Sequence, residues 1–172
     1  HYGNVYNEKE LEELAMKVGS DVPFFIKNKT ARVGGKGNKV ELVENNLKDS
    51  LILVKPLGFG VSTKDAYNSF DELDEVRYAN FEKIIECLRD NNRKDLEKYI
   101  ENGLEQGISE RNADIKKFKE ILNSVVPGKR FFMSGSGSTY YTFVTEIERS
   151  QIETRLRTFV DNVEIIICKT IN

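Results

Sequence analysis

The apolar positions at the start of the chain predict a short amphipathic helix followed by two short strands. Glu10 stands three residues after Asn7, which is the spacing of a helix capping box. Apolar residues then recur at helical spacing up to Gly19, namely Leu11, Leu14, Ala15 and Val18. Further on, the segment 31–43, "ARVGGKGNKVELV", alternates around a glycine-rich bend and predicts two strands joined by a turn.

A continuous apolar run follows at 50–56, "SLILVKP", and its length and composition predict a strand covered on both faces. After it, Ser62 or Thr63 is placed to cap a following helical turn. Residues 80–124 carry apolar positions at helical spacing, for which three helices are the best interpretation. Pro127 and Gly128 then end the last of these helices.

The last part of the chain predicts two strands, a helix and a final strand. The strands are "KRFFMS", "YYTFV" and "VEIIICK", and the helix covers residues 146–159. From residue 50 onward the order is therefore strand, helices, strand, strand, helix, strand. This is the split βαβ, ferredoxin-like order of an α+β fold, with extra helices in the first crossover.

Length and charge narrow the classes of protein that fit. With 172 residues the chain favours one domain, or one domain plus part of another. Because 26 basic residues balance 28 acidic ones, no net field attracts nucleic acid or an anionic membrane, and an anion site must be local. Without a run of about 20 apolar residues, the sequence predicts a cytoplasmic protein. Cys87 and Cys168 lie in apolar contexts, which favours buried free thiols over a disulfide.

The histidine content excludes several kinds of catalytic site. His1 is the only histidine, so a Ser-His-Asp triad, a Cys-His pair and a histidine-bearing zinc site are unsupported. We predict no metal ligands within the chain. The remaining chemistry needs positioning, an acid and a phosphate-binding loop, and phosphoryl transfer is its leading member.

A loop of small and hydroxylated residues separates the two β-prone runs near position 136. Its glycines permit positive φ and leave the backbone open to a ligand, while its hydroxyls add hydrogen-bonding groups. The segment can hold an anion or be only a hairpin turn, and it lacks the spacing of a P-loop. We call it the serine-glycine loop; it consists of Ser134, Gly135, Ser136, Gly137, Ser138 and Thr139.

Three further positions are candidates for a site. Asp21, in "VGSDVPFF", either caps a turn or acts as a general base held beside apolar residues. Thr63, in "GFGVST", either caps a helix or faces a substrate. The glycines of "GGKGNK", residues 34–39, are more typical of a tight turn than of a ligand contact.

Taken in order, four segments resemble the GHMP kinase superfamily. Within it, the resemblance is strongest to members of the non-mevalonate isoprenoid pathway that act on cytidine-diphosphate-linked methylerythritol. "GSDVPFF" is the most specific segment, and the resemblance spans nearly the whole chain. The segments are "GSDVPFF" (19–25), "ARVGGKGNKVELV" (31–43), "VKPLGFGVSTKDAY" (54–67) and "MSGSGSTYYTF" (133–143).

The resemblance implies a particular division of the chain. Residues 50–172 would be the ferredoxin-like C-terminal domain of a GHMP kinase, and residues 1–49 the end of its ribosomal-protein-S5-like N-terminal domain. The chain has no initiator methionine. The family's catalytic lysine and main ATP loop do not occur in it, so we expect a C-terminal portion of about three-fifths, inactive alone.

The resemblance also implies an activity, which is ATP-dependent phosphorylation of the 2-hydroxyl of the methylerythritol substrate. Asp21 would accept the hydroxyl proton, the serine-glycine loop would support the phosphates, and Thr63 would line the substrate pocket. ATP with Mg²⁺ would be required, and neither nucleic acid nor membrane would be a partner. In "GGKGNK", Asn38 replaces the acid of the commoner family pattern, so we assign that turn no ligand role.

Two alternatives stay open at this point. The substrate can be another small alcohol of the superfamily, such as mevalonate or homoserine. The chain can instead be a non-catalytic ferredoxin-like binding module, for example for RNA. The near-neutral charge and the lack of a basic stripe with exposed aromatic residues argue against this second alternative.

Overall fold

A computed structural model of the chain describes residues 6–170. These residues form two compact units, 6–46 and 47–170, and each unit is described by itself below.

The first unit contains two helices and a β-hairpin. Helix α1 (Glu8–Val18) begins with the predicted capping box, in which the Asn7 side chain accepts from the Glu10 amide and Glu10 accepts from the Asn7 amide. Strands β1 (Ala31–Gly34) and β2 (Lys39–Leu42) pair antiparallel, as the sequence predicts. Several large apolar side chains of this unit are exposed, among them Val18 at 79% and Phe25 at 68%.

Helix α2 (Val22–Lys27) is not predicted by the sequence analysis, which assigns no helix or strand to these residues. Pro23 lies in its first turn, where a helix needs no backbone N–H from that residue. Lys27 at its end pairs with Glu8 and Glu12 of α1, at 2.9 and 2.5 Å between the charged atoms. These contacts hold the two helices together.

The second unit is built on a four-stranded antiparallel sheet. Its strands are β3 (Ser50–Pro56), β4 (Phe132–Met133), β5 (Tyr140–Val144) and β6 (Val163–Lys169). Their order across the sheet is β4-β5-β3-β6. The first and last strands of the unit lie side by side, and the two middle strands extend the sheet beyond the first, so the predicted ferredoxin-like arrangement is confirmed.

The crossover from β3 to β4 contains more helices than predicted. After α3 (Thr63–Asp71) there are four helices where the sequence analysis expects three: α4 (Phe81–Arg89), α5 (Arg93–Tyr99), α6 (Gly103–Arg111) and α7 (Ala113–Val125). An asparagine side chain caps the N-terminus of each of the four, namely Asn80, Asn92, Asn102 and Asn112. Apolar spacing alone predicts fewer and longer helices, because it continues across the positions where these asparagines start a new helix. Helix α8 (Glu146–Phe159) matches its prediction.

Helices cover both faces of the sheet, which confirms the prediction made for β3. On one face, Ile52 and Val54 of β3 pack with Phe118 of α7 and Leu156 of α8. On the other face, partly buried Leu51 packs against a smaller cluster from α4, α5 and the strands. The buried members of that cluster are Leu47, Cys87, Leu96, Phe132 and Phe143.

A group of charges fixes the start of α8. The Glu148 carboxylate accepts hydrogen bonds from the Thr145 amide at 2.9 Å, Lys129 at 2.9 Å and Arg93 at 3.2 Å. Arg93 also contacts Asp49 at 3.2 Å. Burial by itself would raise the pKa of Glu148, but these hydrogen bonds outweigh it and lower the pKa to about 2.

Both cysteines are free thiols. Cys87 is buried and Cys168 is half-buried, and burial raises the pKa of each. Within the part of the chain that the structure describes, no helix combines the length and the apolar character needed to cross a membrane.

Candidate active site

The serine-glycine loop is a tight connection between β4 and β5. The Ser134 amide donates to the Thr139 carbonyl at 2.8 Å, and the Gly137 amide donates to the Ser134 carbonyl at 2.9 Å. Gly137 has a φ of 89°, and a Cβ atom there would lie 2.7 Å from the Met133 sulfur. The hairpin interpretation is therefore right as geometry, and the anion-binding interpretation stays a prediction.

The loop leaves donors free for a ligand. Among the described residues, no hydrogen bond engages the backbone amides of Gly135, Ser136 and Ser138. A Cβ atom added at Gly135 would meet nothing within 4 Å, so the space beside that residue is open. Successive free N–H groups in a turn form the kind of concavity that binds phosphate oxygens.

Thr63 is brought to this loop. The cap of α3 is Ser62, whose hydroxyl accepts from the Asp65 amide at 3.4 Å, so the Thr63 hydroxyl is not used for capping. Instead, its Oγ1 atom lies 3.1 Å from the Ser136 Oγ atom. The structure therefore joins two of the predicted site segments directly.

Two residues that sequence reasoning missed hold the loop from α6. Asn102 donates through Nδ2 to the carbonyls of Met133 and Gly135, at 2.8 and 2.9 Å. The Glu105 carboxylate, which is buried, accepts from the Met133 amide at 3.2 Å. The only signal in the sequence is that Asn102 is an N-cap residue, and an N-cap pattern does not reveal a contact with a segment more than thirty positions away.

Asp21 belongs to the first unit and stands at the start of α2. It is exposed, and although it occupies the N-cap position of α2, its side chain makes no capping hydrogen bond to the helix. The glycine-rich turn packs against the residue before it, because a Cβ atom at Gly37 would lie 1.8 Å from the Ser20 carbonyl oxygen. The turn therefore supports the backbone next to Asp21.

The described residues offer no metal site of their own. Between residues 6 and 170, no group of three or more His, Cys, Asp or Glu side chains is placed to hold a metal ion.

Known proteins resemble this chain in sequence and in fold. No family model matches the chain. A 4-diphosphocytidyl-2-C-methyl-D-erythritol kinase from Fusobacterium nucleatum is 77% identical over all 172 residues. The chain spans 58% of the length of that relative.

Solved structures share the fold over almost the whole chain. A 4-(cytidine 5'-diphospho)-2C-methyl-D-erythritol kinase superposes with a TM-score of 0.73 at 22% identity, covering 98% of this chain and 58% of its own. A homoserine kinase from Cytophaga hutchinsonii superposes with a TM-score of 0.71 at 15% identity, covering 98% and 60%. Over all of its 172 residues the chain therefore matches part of a 4-diphosphocytidyl-2-C-methyl-D-erythritol kinase in sequence, and it shares its fold with solved structures of such a kinase and of a homoserine kinase.

Proposed function

We propose that the complete protein phosphorylates the 2-hydroxyl of 4-diphosphocytidyl-2-C-methyl-D-erythritol with ATP, a step of non-mevalonate isoprenoid precursor synthesis. The observation that carries this proposal is the 77% identity to the Fusobacterium kinase over all 172 residues. Two observations support it: Asp21 is exposed and its side chain makes no capping hydrogen bond, and the serine-glycine loop has backbone amides without a hydrogen bond among the described residues.

Each part of the chain has a role in the proposed reaction. Asp21 accepts the proton of the substrate hydroxyl as that oxygen attacks the γ-phosphate. The amides of Gly135, Ser136 and Ser138 stabilise phosphate oxygens, and Thr63 lines the substrate pocket beside Ser136. Phosphoryl transfer depends mainly on positioning and charge stabilisation, and these groups are suited to supply both.

The proposal includes a division of labour with sequence outside this chain. We propose that residues 1–49 end an N-terminal domain and that residues 50–172 form the C-terminal domain. The catalytic lysine and the main ATP loop would come from the remaining length of the enzyme, so these 172 residues alone are expected to be inactive. Mg²⁺ would enter with ATP and neutralise charge on its phosphates.

An Asp21→Asn variant of the complete protein tests the assignment of the base. Because a general base contributes about 100-fold or more, we expect kcat to fall by at least that factor, with the KM for ATP nearly unchanged. Asp161→Asn, at another exposed aspartate, is the matched control and should keep normal turnover. Normal turnover by the Asp21 variant would remove this residue from the mechanism.

A second candidate substrate deserves a direct comparison because the homoserine kinase shares the fold almost as well. The complete protein should be assayed with the cytidine-diphosphate-linked alcohol, free methylerythritol, mevalonate and homoserine. Strict dependence on the cytidine diphosphate group is the expected result. Turnover of homoserine or mevalonate in its place would reassign the substrate within the superfamily.

A further inference from the structure

We propose that Asn102 is a positioning residue that fixes the serine-glycine loop in the shape needed to bind the phosphates of ATP. This inference rests on the proposed function, because it assigns to the loop the phosphate contacts of the kinase reaction. It concerns a residue outside the motifs that carry the family resemblance.

Both the oxygen and the nitrogen of the Asn102 side-chain amide make hydrogen bonds. Its Oδ1 atom accepts from the amides of Leu104 and Glu105, at 3.0 and 3.2 Å, and so caps α6. Its Nδ2 group donates to the carbonyls of Met133 and Gly135. Since a side-chain amide is the only group of this size with an acceptor and two donors, neither aspartate nor serine can make all four bonds.

Glu105, three residues after Asn102 in the first turn of α6, adds a second attachment. Its carboxylate accepts from the Met133 amide at 3.2 Å and pairs with Lys119 at 2.5 Å, while only 8% of the residue is exposed. The carbonyl and the amide of Met133, immediately before the loop, are therefore both bound by the first turn of α6. The start of the loop is fixed in position and direction.

The loop is also held by a helix that packs tightly on α6. A Cβ atom at Gly107 of α6 would lie 2.6 Å from backbone atoms of Ser69 in α3, so the two helices are in direct backbone contact. The first residue of α3 is Thr63, which contacts Ser136. One rigid helix pair thus holds the loop at its start and at its middle.

The consequence is that the free amides of the loop have a fixed orientation before any ligand arrives. Electrostatic stabilisation of phosphate is strongest when the donors need no reorganisation. Supporting residues that lock such donors are as necessary as the donors themselves. Loss of the two bonds from Asn102 should therefore affect ATP more than the alcohol.

The test is an Asn102→Asp variant of the complete protein. Aspartate caps a helix as well as asparagine does, but its carboxylate would face the two carbonyls that the amide group now binds. The matched control is Asn112→Asp, because Asn112 caps α7 in the same way, accepting from Asp114 and Ile115 at 3.0 and 3.1 Å. An Asn102→Ser variant, which also keeps the cap, provides a second and uncharged form of the same loss.

We expect both Asn102 variants to lower kcat/KM for ATP by about 10- to 100-fold, while the KM for the alcohol changes little. The Asn112 variant should match the wild type. Hydrogen exchange at the Ser134 and Gly137 amides should become about tenfold faster in the Asn102 variants only, because those internal bonds open more often.

Two results would overturn the inference: unchanged ATP kinetics in both Asn102 variants, or an equal loss in the Asn112 control. Failure of the proposed function gives a different result, because the wild-type protein would then not phosphorylate the cytidine-diphosphate-linked alcohol. In that case hydrogen exchange at the Ser134 and Gly137 amides still tests whether Asn102 holds the loop. Unchanged exchange in the Asn102 variants would show that it does not.

Discussion

Glu148 offers the clearest test of the energetics of the second unit. Its carboxylate binds Lys129, whose side chain is only 11% exposed, together with Arg93 and the Thr145 amide. A Glu148→Gln substitution keeps the size of the side chain and the cap of α8. It removes the negative charge and leaves two partly buried cations opposite a neutral amide.

The expected loss of unfolding free energy follows from the lowered pKa of Glu148. One pKa unit corresponds to about 1.4 kcal/mol, so lowering the pKa from 4.5 to about 2 corresponds to roughly 3 kcal/mol at full strength. The Glu148 side chain is 36% exposed, and screening by solvent reduces the expected loss to about 1–2 kcal/mol.

The pH dependence has a definite sign. Because the folded-state pKa of Glu148 is lower than the unfolded value, its contribution is complete above about pH 4.5 and disappears as the pH falls toward 2. The difference in unfolding free energy between wild type and variant should therefore be largest at pH 7 and shrink below pH 4.5.

Urea unfolding followed by circular dichroism, repeated between pH 7 and pH 3, measures this difference. Glu146→Gln is the matched control, because Glu146 lies in the same helical turn, is 66% exposed and pairs with Arg149. The control should change stability by less than about 0.5 kcal/mol. An equal loss in both variants, or a loss at Glu148 that does not depend on pH, would refute the reasoning.

Two further substitutions test the packing of the second unit, and both can be measured by urea unfolding. Gly107→Ala should destabilise the folded protein by about 1–3 kcal/mol, although alanine has the better helix propensity, because the new Cβ atom would press on the backbone of Ser69. The control is Gly60→Ala, which should not lower stability because a Cβ atom there meets nothing within 4 Å. Thr142→Val should stabilise by about 1 kcal/mol, since the fully buried Thr142 hydroxyl has no hydrogen-bond partner among the described residues; a loss of stability would show that this hydroxyl is engaged.

Much of the fold follows from the periodicity of the sequence. Alternating residues of a strand face opposite sides, and adjacent Phe132 and Met133 indeed join the two different apolar clusters. The order of strands and helices was enough to predict the ferredoxin-like sheet. The helix count between residues 80 and 125 was wrong because apolar spacing continues across the capping asparagines, although asparagine at helix starts is a recognisable signal.

Helix α2 was missed for a different reason. Six residues with several apolar side chains fit a strand, a helix or a loop equally well, and only packing against α1 selects the helix. The candidate site shows the same limit. Sequence reasoning identified the serine-glycine loop and Thr63, but their contact and the support from Asn102 depend on long-range packing that no local pattern encodes.

The anchoring of the serine-glycine loop by α3 and α6 has a consequence for protein engineering. If the six residues of the serine-glycine loop were transplanted into another protein of the same fold, they would lack the asparagine, the glutamate and the closely packed helices that shape them. Such a chimera should require Asn102, Glu105 and Gly107 to be moved with the loop, and the smallest portable piece is thus a helix pair with its hairpin.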